Sequence, residues 1–397
     1  MADQYCRYFD RRQCTGCTRL HEPYAQQLVS KGAAVRAELA SVLGDVVPLP
    51  VVASPEPMGY RASVKLCLHE DRDRKRAIGL YRFGSKEVVN IAGCPAQTPG
   101  VNRLIAQLFA RDVRLPAPFF NHRGRSFQRG RLKFVVIRCA PGPSLRSDAH
   151  GIILSHTGVS REALVKWLHQ AKLAHLCAYE SKLSPRDGDL PVGYHIEHLS
   201  GPPHFAFALA GHVHQLSPAA FFQANNSLAA KLVAAATGFE TDGDGLLDLY
   251  GGFGAYAVVV ARRFRQLTVV DGNGAAIAAA RRMAATQSLG HLQAVEALCE
   301  TFLEERLKFE DAARVTHVIV NPPRNGLSPR VVCRLGPAYL PNLRELHYVS
   351  CNPVTLARDL AALKPLGLTV RQIQPFDMFA QTDHVEVVAR LRSGGAS

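Results

Sequence analysis

From about residue 211 onward, short apolar segments alternate with longer segments of helical periodicity, such as AAIAAARRMAATQ and VTLARDLAALKPL. The apolar segments have strand length and lie at residues 246–250, 266–271, 292–297, 316–323 and 345–351. Strands that alternate with helices form a parallel, doubly wound sheet with helices on both faces. Residues 368–392 supply two further strands without a helix between them, which predicts an antiparallel hairpin at the sheet edge.

The chain before residue 211 has a different pattern. Residues 21–43 have the spacing of a single amphipathic helix, with Leu28, Val35, Leu39 and Leu43 towards one face. Residues 58–205 contain short β-like runs with one clear helix at 160–173. We therefore predict three parts: a cysteine loop and helix over residues 1–44, an α+β domain over residues 45–210, and an α/β domain over residues 211–397, which begins with a helix at 219–239.

The chain is strongly basic. Its 47 Lys and Arg against 33 Asp and Glu give a net charge of +14, which favours a polyanionic partner such as nucleic acid. Within HRGRSFQRGRLKF, cations alternate with aromatic rings, which suits RNA phosphates and unstacked bases; the residues are Arg123, Arg125, Arg129, Arg131 and Lys133, with Phe127 and Phe134. This segment is therefore predicted to contact RNA.

The compartment follows from two absences in the sequence. No run approaches the roughly 18 uninterrupted apolar residues of a membrane span, and the start MADQYCRYFDRRQC is too charged for a secretory signal. We therefore expect a cytoplasmic, monomeric protein that does not associate with a membrane. The ten cysteines of such a chain are expected to be reduced thiols, metal ligands or nucleophiles.

Three cysteines lie close together near the start of the chain. Cys6, Cys14 and Cys17 form a C-x7-C-x2-C pattern in a polar segment too short for a core of its own, which predicts a metal site. Cys94, in the tight GCP turn, is the best candidate for a fourth ligand. Spacing does not decide between zinc and a four-iron cluster, and free thiols are a further alternative.

A glycine-rich segment, DLYGGFGA, follows the first predicted strand of the α/β domain. Its glycines, Gly252 among them, let the backbone turn tightly and approach a cofactor closely. Asp271 ends the second strand 23 residues after Asp248, where a carboxylate can accept hydrogen bonds from ribose hydroxyls. The combination indicates an adenosine-containing cofactor, although a plain strand-to-helix turn is an alternative.

The fourth predicted strand ends in VNPPRNG, in which Asn321 precedes two prolines. Amino-methyltransferases use a similar Asn-Pro-Pro followed by an aromatic residue that stacks on the target base. Arg324 stands at that position here, which disfavours methylation of an exocyclic amine. A structural loop is the alternative.

Cys351 ends the fifth predicted strand, just before a helix that begins near Pro353, and Glu386 lies on the closing hairpin. The helix N-terminus is expected to favour the Cys351 thiolate. Addition of that thiolate to carbon 6 of a uracil would make carbon 5 nucleophilic towards a methyl donor, and Glu386 could then remove the carbon 5 proton. An inert strand cysteine and a solvated hairpin carboxylate are the alternatives.

Taken together, these motifs resemble the RNA (uracil-5-)-methyltransferase family over residues 6 to about 391, and most closely its 23S rRNA branch. The matching motifs are the cysteine pattern, GCP, AFFQ ending at Gln223, DLYGGFG, VNPPRNG, VSCN, and FDMF followed by HVEVV. Asn321, where several relatives carry Asp, favours the 23S rRNA branch. So does the start of the chain, since relatives with an extra RNA-binding β-barrel carry it ahead of the cysteines.

The resemblance implies a class I, Rossmann-like S-adenosylmethionine-dependent methyltransferase domain, preceded by an α+β central RNA-binding domain and an iron-sulfur loop. It implies that Cys351 is the nucleophile and Glu386 the base. The implied S-adenosylmethionine pocket contains Gln223, Tyr250, Gly252, Asp271 and Asn321, and the implied [4Fe-4S] ligands are Cys6, Cys14, Cys17 and Cys94.

The chain departs from the family pattern at four positions. Gly251 replaces a usual Cys, Asp271 a longer Glu, and Ala380 the usual Pro, while Cys299 lies near a position often held by Asp. Asp271 and Cys299 could weaken cofactor binding. The RNA partner is expected to be 23S rRNA, and tRNA is the alternative substrate. The alternative to an active enzyme is an iron-sulfur RNA-binding protein with impaired catalysis.

Overall fold

The computed structural model describes residues 6–91, 93–124, 126–141 and 148–394. These residues form two compact units. The first holds residues 6–21, Glu56–Ala208 and Gln215–Asn226, and the second holds Glu22–Pro55, Leu209–His214 and residues 227–394. No helix in the described ranges is both long and apolar enough to cross a membrane.

Strands and helices are numbered in chain order. The strands are β1 (Ser63–Glu70), β2 (Arg76–Tyr81), β3 (Val88–Asn90), β4 (Leu132–Pro141), β5 (Asp148–His156), β6 (Cys177–Lys182), β7 (Ile196–Ser200), β8 (Phe205–Leu209), β9 (His212–Leu216), β10 (Gly243–Leu249), β11 (Phe264–Asp271), β12 (Leu292–Glu296), β13 (Val315–Val320), β14 (Glu345–Ser350), β15 (Leu368–Phe376) and β16 (Glu386–Ser393). The α-helices are α1 (Arg7–Asp10), α2 (Tyr24–Leu43), α3 (Pro99–Leu108), α4 (Arg161–Gln170), α5 (Asn226–Ala236), α6 (Ala255–Val259), α7 (Gly274–Thr286), α8 (Cys299–Thr301), α9 (Phe309–Arg314), α10 (Pro329–Val332) and α11 (Pro353–Leu363). Short 3-10 turns lie at Pro185–Asp187, Ala261–Arg263 and Lys364–Leu366, and a π-helical turn at Phe302–Arg306.

The second unit is built on a seven-stranded sheet of order β12-β11-β10-β13-β14-β16-β15. The first five strands in that order pair in parallel, and β16 pairs antiparallel with both β14 and β15. Every residue of β13 and β14 is buried, as expected for parallel strands covered by helices on both faces. The predicted doubly wound sheet and its antiparallel edge hairpin are therefore confirmed.

Helix α2 belongs to the second unit, although its sequence predicted a part shared with the cysteine loop over residues 1–44. Its buried positions recur every four residues, at Gln27, Lys31, Val35, Leu39 and Leu43. The three apolar ones join the core that also contains the inner faces of β14 and α11. This burial explains the difference, because the short cysteine loop offers no comparable apolar surface. Leu28, predicted on the same face, is only partly buried.

The first unit contains a seven-stranded sheet of order β3-β2-β1-β4-β5-β6-β7, with β5 and β6 as its parallel pair and the other neighbours antiparallel. Its largest core cluster joins β4 and β5 to α3 and α4. Thr98 and Ser160 cap these two helices by accepting hydrogen bonds from Val101 and Ala163 amides. Strands β8 and β9 pair separately as a two-stranded sheet.

The helix predicted at 219–239 is shorter in the structure, where α5 begins at Asn226. Ahead of it, the Ala224 carbonyl accepts a hydrogen bond from the Ala62 amide at 2.8 Å, and Asn226 Nδ2 donates to the Cys139 carbonyl at 3.0 Å. The chain just before α5 therefore forms tertiary hydrogen bonds instead of helical ones. The helical composition of residues 219–239 did not reveal this.

Candidate active site

The turn after β10 has an unusual backbone. Tyr250, Gly252 and Gly254 all have positive φ angles, of 56°, 58° and 76°. At Gly251 a Cβ atom would lie 2.7 Å from Asp248 Cγ and 2.8 Å from Val269 Cγ1. The turn is therefore compact, and a cysteine at residue 251 would require its neighbours to move.

Asp271, at the end of β11, holds this glycine turn. Its Oδ2 accepts a hydrogen bond from the Gly252 amide at 2.9 Å, and its Oδ1 accepts one from the Asn273 amide at 2.7 Å. A carboxylate has about four acceptor sites, so both oxygens retain capacity for a ligand hydroxyl. The carboxyl group is thus fixed beside the turn, at the carboxyl ends of the parallel strands.

Asn321 follows β13 and faces the helix after the glycine turn. Its Nδ2 donates to Tyr256 Oη at 3.2 Å, and its amide donates to the Leu249 carbonyl at 3.2 Å. Burial raises the pKa of Tyr256, and the nearby charges of Asp248 and Glu386 raise it further. The pKa of Tyr256 therefore responds both to Asp248, just before the glycine turn, and to Glu386, on the closing hairpin. The sequence analysis did not single out Tyr256.

Burial raises the pKa values of two residues next to the turn. Burial raises the pKa of Asp248 to about 8, because a charge there would lose its water. Burial also raises the pKa of Cys299 to about 12, and the Cys299 thiol lies close enough to Tyr250 to add to the rise in the pKa of that phenol.

Cys351 lies directly after β14, and Asn352 caps α11 by accepting a hydrogen bond from the Val354 amide at 3.2 Å. The thiol is half-buried. Burial raises the pKa of Cys351, the Glu386 carboxylate raises it further, and Arg324 opposes both effects. Lost hydration and the neighbouring acid therefore favour the neutral thiol in the free protein, contrary to the expectation that the thiolate is favoured.

Glu386, the first residue of β16, is only 5% exposed. Burial raises the pKa of Glu386 to about 8, with Arg324 again opposing the rise. Cys351 and Glu386, far apart in sequence, are thus close enough in space to interact. The structure adds Arg324 to this pair, since the guanidinium acts on both groups; the sequence analysis had read this residue only as the replacement for an aromatic ring.

The loop that carries Arg324 is held by α11. Asn352 Nδ2 and Thr355 Oγ1 donate to the Arg324 carbonyl at 3.1 and 3.2 Å. Arg358 donates to the Asn325 and Leu327 carbonyls at 2.8 and 3.0 Å. We call residues 321–327 the proline loop; its backbone position is set by the helix that follows Cys351.

The segment before Glu386, residues 376–385, is held by α2, and we call it the hairpin loop. Lys31 Nζ donates to Asp377 Oδ1 at 2.5 Å and to the Phe379 and His384 carbonyls at 3.1 and 2.9 Å. Tyr24 Oη also donates to Asp377, at 2.7 Å. The sequence analysis missed this buried ion pair. The available signal was that Lys31 lies four residues before Val35 and therefore on the apolar face of α2.

Gln223, the remaining residue of the predicted cofactor pocket, belongs to the first unit. Its Oε1 is buried and accepts no hydrogen bond from a described residue. It follows the fully buried Phe222, whose ring packs on Phe207 at a centroid distance of 4.7 Å. Gln223 is thus a fixed acceptor within the first unit.

The four predicted metal ligands lie in one neighbourhood of the first unit, on its main core. Burial raises the pKa of Cys17 to about 12, with further increases from Cys94, Cys14 and Cys6, while Arg61 opposes them. Four thiols from two chain segments are a suitable donor set for zinc or an iron-sulfur cluster. Within the described ranges, however, no group of three or more His, Cys, Asp or Glu side chains is arranged to hold a metal ion.

The basic segment 122–134 does not form one exposed surface. Arg123 and Arg129 are exposed, whereas Lys133 and Phe134 are buried in β4, and Arg125 lies outside the described residues. Lys133 Nζ donates to the Gly188 carbonyl at 2.5 Å and lies 4.7 Å from the Phe120 ring centroid. The predicted RNA contact of Lys133 and Phe134 is therefore wrong, because both serve the fold of the first unit.

Sequence comparison relates this chain to RNA methyltransferases. Residues 210–393 match the family model described as tRNA (Uracil-5-)-methyltransferase. An uncharacterized RNA methyltransferase of Thermosynechococcus vestitus is 32% identical over 96% of this chain and 82% of its own. The 23S rRNA (uracil(747)-C(5))-methyltransferase RlmC of Shewanella loihica is 28% identical over 98% of this chain and 99% of its own.

A solved structure shares the fold over nearly the whole length. The Pyrococcus abyssi tRNA (uracil-54, C5)-methyltransferase in complex with S-adenosyl-L-homocysteine is 26% identical, with a TM-score of 0.74, over 95% of this chain and 86% of its own. The chain therefore belongs to the RNA (uracil-5-)-methyltransferase family.

Proposed function

We propose that this RNA uracil-C5 methyltransferase uses S-adenosylmethionine, acts on 23S rRNA and proceeds through a covalent adduct between Cys351 and carbon 6 of the target uracil. The observation that carries the mechanism is the convergence of Cys351, Glu386 and Arg324 at the strand ends beside the glycine turn. Methylation of a ring carbon needs a nucleophile and a base, and this corner contains both.

In the proposed reaction, Cys351 Sγ adds to carbon 6 as a thiolate, and the electron pair of the carbon 5 to carbon 6 bond moves towards oxygen 4 as an enolate. Carbon 5 then bonds to the methyl group of S-adenosylmethionine as the methyl–sulfur bond breaks, and S-adenosylhomocysteine leaves with that electron pair. Glu386 removes the carbon 5 proton, and the electron pair re-forms the double bond as the bond from carbon 6 to Sγ breaks. Arg324 favours the ionised forms of both residues.

Two substitutions test this chemistry, the first with RNA that contains 5-fluorouridine, whose fluorine cannot leave as a proton does, and the second with ordinary uridine. Cys351→Ala should give neither a covalent RNA complex nor methylated product, because no atom is left to add to carbon 6. Glu386→Gln should form adduct with ordinary uridine and resolve it slowly. Denaturing gels and methyl-label counting measure both outcomes, and product from Cys351→Ala would refute the nucleophile assignment.

For the cofactor we propose a pocket of the second unit formed by Tyr250, Gly252, Asp271 and Asn321, while the role of Gln223 stays a prediction from the family resemblance. The positive φ angles of the glycine turn and the fixed Asp271 carboxylate support it. Asp271→Ala should weaken binding of S-adenosylhomocysteine about tenfold or more, because a hydroxyl partner and the hydrogen bond to Gly252 are both lost. Calorimetry measures this directly, and unchanged affinity would remove Asp271 from the pocket.

The choice of 23S rRNA rests on Asn321 and on the nearly complete mutual coverage with the RlmC relative. The alternative, tRNA, is favoured by the solved relative that methylates uracil-54 of tRNA. Incubating the protein with methyl-labelled S-adenosylmethionine and either RNA separates the two. Mass-spectrometric mapping of 5-methyluridine in rRNA from a deletion strain then identifies the nucleotide, and full methylation of that rRNA would overturn the choice.

We also propose that Cys6, Cys14, Cys17 and Cys94 hold a [4Fe-4S] cluster. The shared electrostatic neighbourhood of these thiols and the adjacent Arg61 cation support it. Bound there, the cluster would tie the loop that carries Cys6 to the GCP turn. Iron and sulfide analysis of anaerobically purified protein tests the proposal; zinc without sulfide, or no metal, would refute it.

A further inference from the structure

The turn between β2 and β3 presents an aromatic ring to solvent. Phe83 is 90% exposed. Its backbone is nevertheless fixed, because its amide donates to Thr15 Oγ1 at 3.1 Å and the Ser85 amide donates to the Arg82 carbonyl at 3.0 Å. Arg82 Nη1 also donates to the Arg12 carbonyl at 3.1 Å. A large apolar ring on an ordered turn forgoes the stabilisation of burial, which suggests a contact with a partner.

A second exposed aromatic lies on the loop after β6. Tyr194 is 83% exposed, and its amide donates to Asp187 Oδ1 at 3.4 Å. Asp187 also accepts hydrogen bonds from the Ser184 amide and hydroxyl, at 2.7 and 2.6 Å, so the loop has an internal brace. Tyr194 is thus another ring held on an ordered loop of the first unit.

An ion pair joins these two loops. Lys86 Nζ, on the turn of Phe83, lies 3.0 Å from Asp189 Oδ2, on the loop of Tyr194. Arg123 extends the same surface, since its Nη2 lies 3.6 Å from Glu87 Oε1. Lys86 and Arg123 keep 63% and 57% of their side-chain surface exposed. The loops that carry the two rings are therefore adjacent, and exposed cations lie on or beside them.

We propose that Phe83 and Tyr194 stack on unpaired bases of the RNA substrate while Arg123 and Lys86 contact its phosphates; this rests on the proposed function, which makes RNA the substrate. Exposed rings with cations beside them fit single-stranded RNA, because every base has a stacking face and every phosphate a charge. The net charge of +14 favours an anionic partner over an apolar one. We call these four residues the stacking surface.

Binding of substrate RNA to Cys351→Ala protein, measured by fluorescence anisotropy, tests the rings. Adding Phe83→Ala or Tyr194→Ala should each weaken binding about tenfold, whereas Phe83→Trp should stay within about threefold of the parent. Phe309→Ala is the matched control, since Phe309 is 77% exposed but lies in the second unit. Loss of affinity no greater than in Phe309→Ala, or equal loss for Phe83→Trp and Phe83→Ala, would overturn the proposal.

Salt dependence tests the cations. Arg123→Gln should lower the slope of log affinity against log salt by about 0.7, the change expected for one lost phosphate contact on a single strand. Phe83→Ala should leave that slope unchanged, because stacking releases no counterions. An unchanged slope in Arg123→Gln would remove Arg123 from the surface.

Turnover separates this proposal from the proposed function. In the wild-type background, Phe83→Ala should raise the KM for RNA about tenfold with kcat unchanged, because the ring binds RNA away from the reacting atoms. If the wild type methylates RNA and Phe83→Ala has the same KM, the stacking surface is wrong and the proposed function stands. If the wild type methylates no RNA but the variants bind it as expected, the proposed function fails alone.

Discussion

The hairpin loop and the proline loop both position groups at the candidate active site, but they are held by different interactions. The hairpin loop is held by Lys31, whose side chain is 1% exposed and paired with a fully buried Asp377. The proline loop is held by hydrogen bonds from α11 side chains to its backbone carbonyls, several of them at the surface, and by the buried Asp359, which accepts from the Leu327 amide at 2.7 Å. A buried charge pair is costly to break, whereas each exposed hydrogen bond contributes little. The comparison predicts that substitutions that remove contacts of the hairpin loop destabilise the whole protein. Substitutions that remove contacts of the proline loop should affect mainly the position of that loop.

The largest effect is expected from Lys31→Ala. It leaves the Asp377 carboxylate buried without its ammonium partner, which costs about 3–5 kcal/mol in free energy of unfolding. Urea titration measures this loss. Arg36→Ala, an exposed position on the same helix, is the control and should change stability by less than about 0.5 kcal/mol. Lys31→Met with Asp377→Leu should recover part of the loss, and a Lys31→Ala protein as stable as Arg36→Ala would contradict the buried-pair interpretation.

This pair also shows what the sequence could and could not predict. The parallel, doubly wound sheet and its antiparallel edge hairpin followed from apolar periodicity, and the same reasoning placed Cys351 at a strand end and Glu386 on the hairpin. Lys31 and Asp377 are 346 residues apart, and nothing local to either residue encodes the other. Likewise, the segment 219–225 has the composition of a helix, but the Ala224 carbonyl accepts from the amide of Ala62, which lies just before β1.

The glycine turn and the cysteine loop differ in how far the polypeptide alone determines their geometry. The glycine turn is set by backbone geometry, so it is visible in the folded chain, with positive φ at Gly252 and no room for a Cβ at Gly251. The spacing of Cys6, Cys14 and Cys17 predicts a ligand set whose geometry depends on a group outside the polypeptide. The pattern therefore predicted the neighbourhood of these thiols but not their arrangement.

The second prediction concerns what the proline loop carries. Arg324→Ala should lower kcat/KM for RNA about tenfold to a hundredfold, because the cation that opposes the raised pKa values of both Cys351 and Glu386 is lost. Arg324→Lys keeps the charge and should retain more activity. The pH dependence of Cys351 alkylation by iodoacetamide is the direct measurement, and its midpoint should move upward in Arg324→Ala. An unmoved midpoint would mean that the loop acts without electrostatics.

The third prediction concerns what the hairpin loop delivers. The folded-state pKa of Glu386 is raised to about 8 from an ordinary 4.5, so the folded state binds the proton more tightly than the unfolded chain. Its contribution to stability is therefore complete below about pH 4.5 and is lost as the pH rises to about 8, by at most about 1.4 kcal/mol per pH unit.

Glu386→Gln should flatten that decline, as urea titrations at several pH values will show. Asp248, whose pKa is also raised to about 8, stays in place and preserves the remaining slope. In the wild type, resolution of the adduct formed with ordinary uridine should slow below about pH 8, where Glu386 is protonated. Identical pH profiles of stability for Glu386→Gln and the wild type would show that Glu386 is hydrated in solution.

The smallest effect is expected from Thr355→Val, which removes one hydrogen bond to the Arg324 carbonyl while nearly preserving side-chain volume. Stability should fall by about 1 kcal/mol, since water can replace the lost donor at this exposed site. The KM for S-adenosylmethionine should stay constant, because the glycine turn is untouched, while the rate of adduct formation falls with the looser position of Arg324. If Thr355→Val destabilised the protein as much as Lys31→Ala, the two loops would not differ in kind. Global unfolding would then be the cause of lost activity in both, and the carbonyl contacts of the proline loop would be part of the core of the second unit.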